Sequence, residues 1–235
     1  MLNYNTNYLL IENKNIIFIW QARAACSSVT KMYYNQLGLL NNELLKKRTI
    51  IHTFKVEHQK NLKDLTENAI KNKNTKYIQF VVNPFRRAVS SYIHSMRTNY
   101  NNNKENDISF ETYIYNLMHN KYLPNIHHDK QKCVEIDNKN IEYIKMEKIK
   151  DNLDNINKKY NLNLQLFENI QTHNKKFIFK KPYIGNLLWS EITNENIPNN
   201  YHHFYNGLMK YNVNKLYKED IETFGYSWEE FIHNK

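Results

Sequence analysis

Arg23, Cys26, Ser27 and Ser28 stand together in the run Gln21-Ala-Arg-Ala-Ala-Cys-Ser-Ser-Val29, and these side chains suit the capture of an anion. The guanidinium carries a full positive charge and fixed donors, and the two hydroxyls add more. The flanks say how they are held. Ile16-Ile-Phe-Ile-Trp20 is apolar and rich in β-branched residues, as in a short buried strand. Thr30-Lys-Met-Tyr-Tyr-Asn-Gln-Leu37 reads as a helix. Strand, tight loop and helix in that order aim backbone N–H groups at one point, and the helix dipole favours negative charge there by roughly 0.3–1 kcal/mol. A phosphate or sulfate fits such a place. The plain alternative is an ordinary turn with Ser27 or Ser28 as helix cap and Arg23 in solvent. The three glycines or the Gly-Lys-Ser/Thr of a nucleotide-triphosphate loop are missing, and Ala24 and Ala25 sit where glycines would be comfortable.

A second unit repeats the pattern. Tyr77-Ile-Gln-Phe-Val-Val82 reads as a strand, and Asn83-Pro-Phe-Arg-Arg-Ala-Val-Ser-Ser-Tyr92 as a turn entering a helix from about Arg86 to Thr98. Pro84 fixes φ at a turn or first helical position and ends the strand ladder. Together the two units resemble the sulfotransferase superfamily, in the branch of Golgi carbohydrate sulfotransferases and their bacterial and viral relatives. In that branch the first loop commonly reads Pro-Lys-x-Gly/Ala-Cys-Thr-Ser. Ala22-Arg-Ala-Ala-Cys-Ser-Ser28 is similar to it, with Arg23 in the lysine position and Ser27 in the threonine position. The second motif commonly reads Arg-Asp/Asn-Pro-Tyr/Phe-x-Arg-x-Val-Ser-x-Tyr, against Val82-Asn-Pro-Phe-Arg-Arg-Ala-Val-Ser-Ser-Tyr92 here. The closing stretch Val213-Asn-Lys-Leu-Tyr-Lys-Glu-Asp-Ile-Glu-Thr-Phe-Gly-Tyr226 matches the family's last helix, Tyr-x-x-Asp followed by Phe-Gly-Tyr, so the resemblance runs over residues 16–226 in order.

The resemblance implies an α/β chain with a P-loop-like three-layer fold, a central, mostly parallel sheet flanked by helices, formed as a single domain over residues 1–235. It also implies a donor, 3'-phosphoadenosine 5'-phosphosulfate (PAPS), the product nucleotide PAP, and no metal. The first loop, Ala22, Arg23, Ala24, Ala25, Cys26, Ser27 and Ser28, would grip the 5'-phosphosulfate. Arg23 would stabilise charge on the bridging oxygen as the sulfuryl group leaves, help worth about 2.7–4 kcal/mol per donor in oxyanion sites. Unlike lysine, arginine can offer hydrogen bonds there but no proton. The second motif would hold the 3'-phosphate through Ser90, with Arg86 and Arg87 within a turn of the strand end. Val82 departs from the pattern, since it replaces the arginine that pairs with that phosphate.

An acceptor hydroxyl or amine must lose its proton as it attacks sulfur, and histidine takes one near neutral pH. In the family the loop after the second strand often supplies the base. Thr49-Ile-Ile-His-Thr-Phe54 reads as that strand, which makes His52, Glu57 and His58 the candidates. With ten histidines in the chain, any one is more often structural than catalytic. Pro124-Asn-Ile-His-His-Asp-Lys-Gln-Lys-Cys133 lacks a second ligand pair at zinc spacing. It resembles the family's His-x-x-x-Gln element, which would put His127 and Gln131 on the acceptor side. Glu147, the last residue of the strand Ile141–Glu147 and just before a helix over 148–156, matches a family acid. It suits a helix N-terminus equally well. Thr172-His-Asn-Lys175 is faintly similar to a His-x-Asn stretch of the family.

Composition bounds the partners. The 235 residues suffice for one α/β domain, and the net charge of +10 asks for an anionic partner. The lysines are spread along the chain, which suits a nucleotide donor with a glycan or small hydroxyl acceptor and disfavours nucleic acid. Cys26 and Cys133 are the only cysteines, too few for a disulfide scaffold or zinc cluster, and are expected as buried free thiols. The first residues show no basic region leading into an apolar segment, and no run reaches membrane-helix length. A soluble, cytoplasmic protein without a signal is therefore expected, unlike the anchored Golgi members. The Asn, Lys, Ile and Tyr bias looks like AT-rich coding, as in a virus or AT-rich microbe, which would place the protein in host cytoplasm or virion. Elsewhere, residues 1–15 suggest a tail with an edge strand, Leu37-Gly38 a helix stop, 41–48 a polar stretch of helical character, 61–74 an amphipathic helix, and 99–106 a polar loop. Ser109 or Asp107 caps a helix over 110–118, and 157–200 carries few periodic signals. Two functions stand: an active sulfotransferase, or a binding protein on the same fold that no longer transfers. A nucleic-acid binder driven by charge is a third, and it requires affinity that falls steeply with salt.

Overall fold

The computed structural model of the chain describes residues 7–41, 48–102, 106–122, 127–132, 141–167, 182–192, 197–198 and 200–233. The chain forms two compact units, Met1–Val82 with Cys133–Gln171, and Asn83–Lys132 with Thr172–Lys235.

The first unit is α/β. Its strands are β1 (Asn7–Ile11), β2 (Ile16–Trp20), β3 (Lys76–Val81) and β4 (Ile141–Lys145), in the order β1-β2-β3-β4. β1 runs antiparallel to β2, and β2, β3 and β4 run parallel. A 3₁₀ turn, Glu12–Lys14, and Asn15 in the left-handed region at φ 53° reverse the chain between β1 and β2. Asparagine tolerates that region better than most residues. Its side chain also accepts from the Thr75 hydroxyl at 2.8 Å, fastening the entry to β3.

β2 is buried at all its positions because both of its faces are covered. Strand side chains alternate between faces, so odd and even residues enter different cores. Phe18, Trp20, Ile78, Phe80 and Ile144 pack with Val29 and Met32 of α1 (Cys26–Gln36), Ile51 of α2 (Arg48–Asn61) and Ile149 and Ile156 of α6 (Ile149–Tyr160). Leu10, Ile17, Ile19 and Tyr77 pack with Ala69 and Ile70 of α3 (Lys63–Lys71) on the other side.

The segment Thr49–Phe54, read from its β-branched residues as a strand, is part of α2, and this corrects the placement of the base candidates. Ile51, Phe54, Lys55 and His58 are three or four residues apart and turn to one side, where Tyr34 meets Phe54 and His58 with ring centroids at 4.9 and 5.7 Å. Local strand preference is worth at most about 1 kcal/mol per residue, and burying those aromatic rings outweighs it.

The second unit is helical: α4 (Pro84–Asn102), α5 (Phe110–Met118), α7 (Gly207–Leu216), α8 (Lys218–Phe224) and α9 (Trp228–His233). Pro84 opens α4, whose core face is Phe85, Ala88, Val89, Tyr92, Ile93 and Met96. These recur every three to four residues, as a buried helix face requires. α4 continues through Asn102, where a polar loop was expected, because extending a formed helix costs only a few tenths of a kcal/mol per residue. Ser109 caps α5 by accepting from the Thr112 N–H at 3.1 Å. Asn206 does the same for α7 through Met209. The closing stretch is two helices rather than one, divided at Tyr217 and ended by Gly225 at φ 60°.

Candidate functional site

The loop after β2 has an unusual backbone. Arg23 and Ala25 both hold left-handed φ, 66° and 56°, in a run without glycine. Ala25 occupies the N-cap position of α1 and has no capping side chain, so neither Ser27 nor Ser28 serves as the cap. The Ala24 N–H turns back to the Gln21 carbonyl at 3.1 Å. The Ser28 and Val29 N–H groups donate to the Ala25 carbonyl at 2.9 and 3.0 Å. Among the described residues, the N–H groups of Ala25, Cys26 and Ser27 donate to no protein acceptor. The first turn also contains no acidic residue. This is a donor nest with the positive end of a helix behind it.

Lys31 completes it. Its side chain is only 7% exposed and has no acceptor or ion-pair partner among the described residues. Burial pushes its pKa down. It lies one helical turn after Ser27, on the same side of α1. The sequence reading passed over Lys31. The four-residue spacing from Ser27 was the available signal, but the lack of a partner is a tertiary fact.

His52 borders the same turn, with its Nδ1 at 3.8 Å from the Cys26 sulfur. Lys55, one turn along α2, is buried and donates to the Asn7 side chain. Burial lowers its pKa, and the neighbouring Cys26 pulls the other way. Glu57 is exposed, on the opposite face of α2. His58 is committed elsewhere. The Tyr33 hydroxyl donates its one proton to the Leu10 carbonyl at 2.7 Å, so the His58 Nε2 at 2.9 Å is the donor to Tyr33. Burial lowers the His58 pKa. Cys26 and His52 are therefore brought together at the start of α1, next to the loop of Arg23 and the turn of Ser27 and Ser28, while Glu57 and His58 lie elsewhere on α2.

Glu147 lies half-buried in the 3₁₀ turn Met146–Lys148 of the first unit. The remaining candidates belong to the second unit. Val82 closes the first unit as a buried residue, and α4 then carries an exposed Arg86, a buried Arg87 and a half-buried Ser90. The Arg86 guanidinium lies over the Tyr201 ring at 6.0 Å. Arg87, only 2% exposed, donates to the Asp129 carbonyl.

The strap 127–132 is held by side chains along its length. Ser91 donates to the His127 carbonyl, and Tyr217 to the His128 carbonyl at 2.8 Å. Asp220 accepts from the Gln131 N–H at 2.8 Å and the Lys132 N–H at 2.9 Å. Burial pushes the Asp220 pKa up, opposed by those N–H groups and by Arg87. Tyr217 and Asp220 thus act together as a clasp, a use of the Tyr-x-x-Asp spacing that sequence alone does not reveal. Gln131 is fully buried, and the His127 ring stacks on His94 at 4.2 Å. Cys133 and Thr172–Lys175 lie outside the described residues.

Comparison of the chain with protein families, curated proteins and solved structures returned no match. Among the described residues no group of three or more His, Cys, Asp or Glu could hold a metal ion, and no helix is long and apolar enough to cross a membrane.

Proposed function

We propose that the chain is a sulfotransferase of P-loop-like fold that takes the sulfuryl group of PAPS to a hydroxyl or amine, on a carbohydrate or small acceptor. The observation that carries this reading is the nest at the start of α1. Three N–H groups without a protein acceptor among the described residues, the Ser27 and Ser28 hydroxyls and Arg23 stand in one loop and first helical turn, with Lys31 one turn further along α1. Such a site favours a doubly charged, tetrahedral anion, because N–H and hydroxyl donors at a helix N-terminus gain most from a charged acceptor.

In this reading the nest holds the 5'-phosphosulfate and Arg23 meets the bridging oxygen as the S–O bond breaks. Lys31 supplies the ammonium that the arginine in the loop cannot. His52, against the first turn of α1, takes the acceptor proton as the acceptor oxygen or nitrogen bonds to sulfur. It is chosen over Glu57 and His58 for its position beside Cys26. The resemblance assigns the 3'-phosphate to Ser90 and Arg86 of the second motif.

The second reading, a nucleotide-binding protein without transfer, draws on Val82 and on the tie of Arg87 to Asp129. Both leave the 3'-phosphate with fewer charged partners.

A thermal-shift titration with PAP against ATP tests the donor assignment. At about a hundred times its dissociation constant a ligand stabilises the fold by roughly 2.7 kcal/mol. A selective shift with PAP that Arg23→Ala removes is expected. No shift, or an equal one with ATP, refutes the donor. PAP binding without sulfuryl transfer to any acceptor in a glycan screen favours the second reading.

A further inference from the structure

Cys26 opens α1 half-buried, and His52 and Lys55 of α2 lie on its side. The His52 Nδ1 stands 3.8 Å from its sulfur. Lys55, three residues on and so on the same side of the helix, is within electrostatic reach of the thiol. Its ammonium lies 5.7 Å from the centre of the buried Trp20 ring and is shielded from solvent. An imidazole nitrogen at the sulfur of a half-buried thiol is placed to take its proton as the sulfur reacts.

We propose that Cys26, with His52 and Lys55, is a reactive-thiol site that is reversibly modified by low-molecular-weight disulfides such as glutathione disulfide. The Cys26 proton passes to Nδ1 of His52, whose other nitrogen carries the N–H. The thiolate attacks one sulfur of the disulfide. A new S–S bond joins Cys26 to that half, the old S–S bond breaks, and the departing thiolate recovers the proton from the imidazolium. The disulfide is the oxidant, and no further one is needed. Lys55 holds the thiolate charge before attack. The adduct stands in the first turn of α1, so it and an anion in the nest exclude each other. That exclusion rests on the anion reading, whereas the thiol chemistry does not.

The test uses the full chain carrying Cys133→Ser, alkylated with iodoacetamide between pH 5 and 9 and followed by mass spectrometry. The same chain in urea serves as reference. An ordinary thiol is only a few per cent thiolate at pH 7, so a held thiolate reacts about tenfold faster there. Native Cys26 is expected to exceed the urea reference by that factor at pH 7. His52→Gln and Lys55→Met, each with a wild-type circular dichroism spectrum, should lower the rate several-fold. Glutathione disulfide should add one glutathionyl group at Cys26 that dithiothreitol removes.

A native rate at or below the reference, rates unchanged in both folded variants, or no adduct overturns the proposal. Slowing of alkylation by PAP supports the exclusion. Alkylation that PAP leaves unchanged, in a chain that PAP stabilises thermally, overturns the exclusion alone.

Discussion

Replacing Ala25 by glycine should stabilise the protein, although glycine ordinarily costs more conformational entropy on folding. Ala25 sits at φ 56°, a conformation that costs a non-glycine residue roughly 1–2 kcal/mol. Ala25→Gly removes that strain, and glycine is also the better N-cap. Against this, the freer unfolded chain costs about 0.4–1 kcal/mol. The difference leaves a gain of about 1 kcal/mol, or roughly 2–4 °C in Tm for a chain of this size. Ala24 is the control. It is fully buried and is not among the positive-φ residues, so Ala24→Gly loses a buried methyl worth about 0.8 kcal/mol and the same chain entropy. It should therefore destabilise by about 1–2 kcal/mol. Urea denaturation of the two variants beside the wild type, followed by far-ultraviolet circular dichroism, decides the matter. Loss of more than about 0.5 kcal/mol in Ala25→Gly, or equal effects of the two changes, would refute the left-handed loop and with it the donor nest.

Lys31, which has no partner among the described residues, leads to opposite effects on stability and binding. Lys31→Met should leave the free protein as stable or up to about 1 kcal/mol more stable, since a poorly solvated ammonium is removed, yet weaken PAP binding about tenfold by calorimetry. Asp220→Ala strands two backbone donors at about 1–3 kcal/mol each, so a loss of roughly 2–5 kcal/mol is expected in denaturant melts. A loss below 1 kcal/mol would mean that the strap 127–132 is not held by this carboxylate. His58 sets an acid limit. Its pKa in the folded chain lies below the ordinary 6.5, so the unfolded chain binds the proton first. The stability present above pH 6.5 should therefore decline as pH falls through the folded value. His58→Gln should flatten that decline in pH-dependent melts, and an unchanged slope would assign it to other groups.

The chain's apolar periodicity determined β2, β3, β4 and the helices α1, α4 and α5, because burial of a strand or helix face leaves a period that neighbours in sequence already carry. Ser109 before Phe110 and Pro84 at the start of α4 were likewise readable, since caps and φ restriction act within a turn. The segment 49–54 was not. Its β-branched residues favour a strand locally, and only packing of Phe54 and His58 on Tyr34 makes it helical. Arg23, Ser27 and Ser28 could be singled out by type and spacing, but the left-handed φ of Arg23 and Ala25 follows from how the tertiary fold closes the loop. The meeting of Cys26 with His52, 26 residues away, was decided there too. So was the lack of a partner for Lys31 among the described residues. Whether a charged side chain finds a partner depends on which distant groups the fold brings near, and a linear pattern does not record that distance.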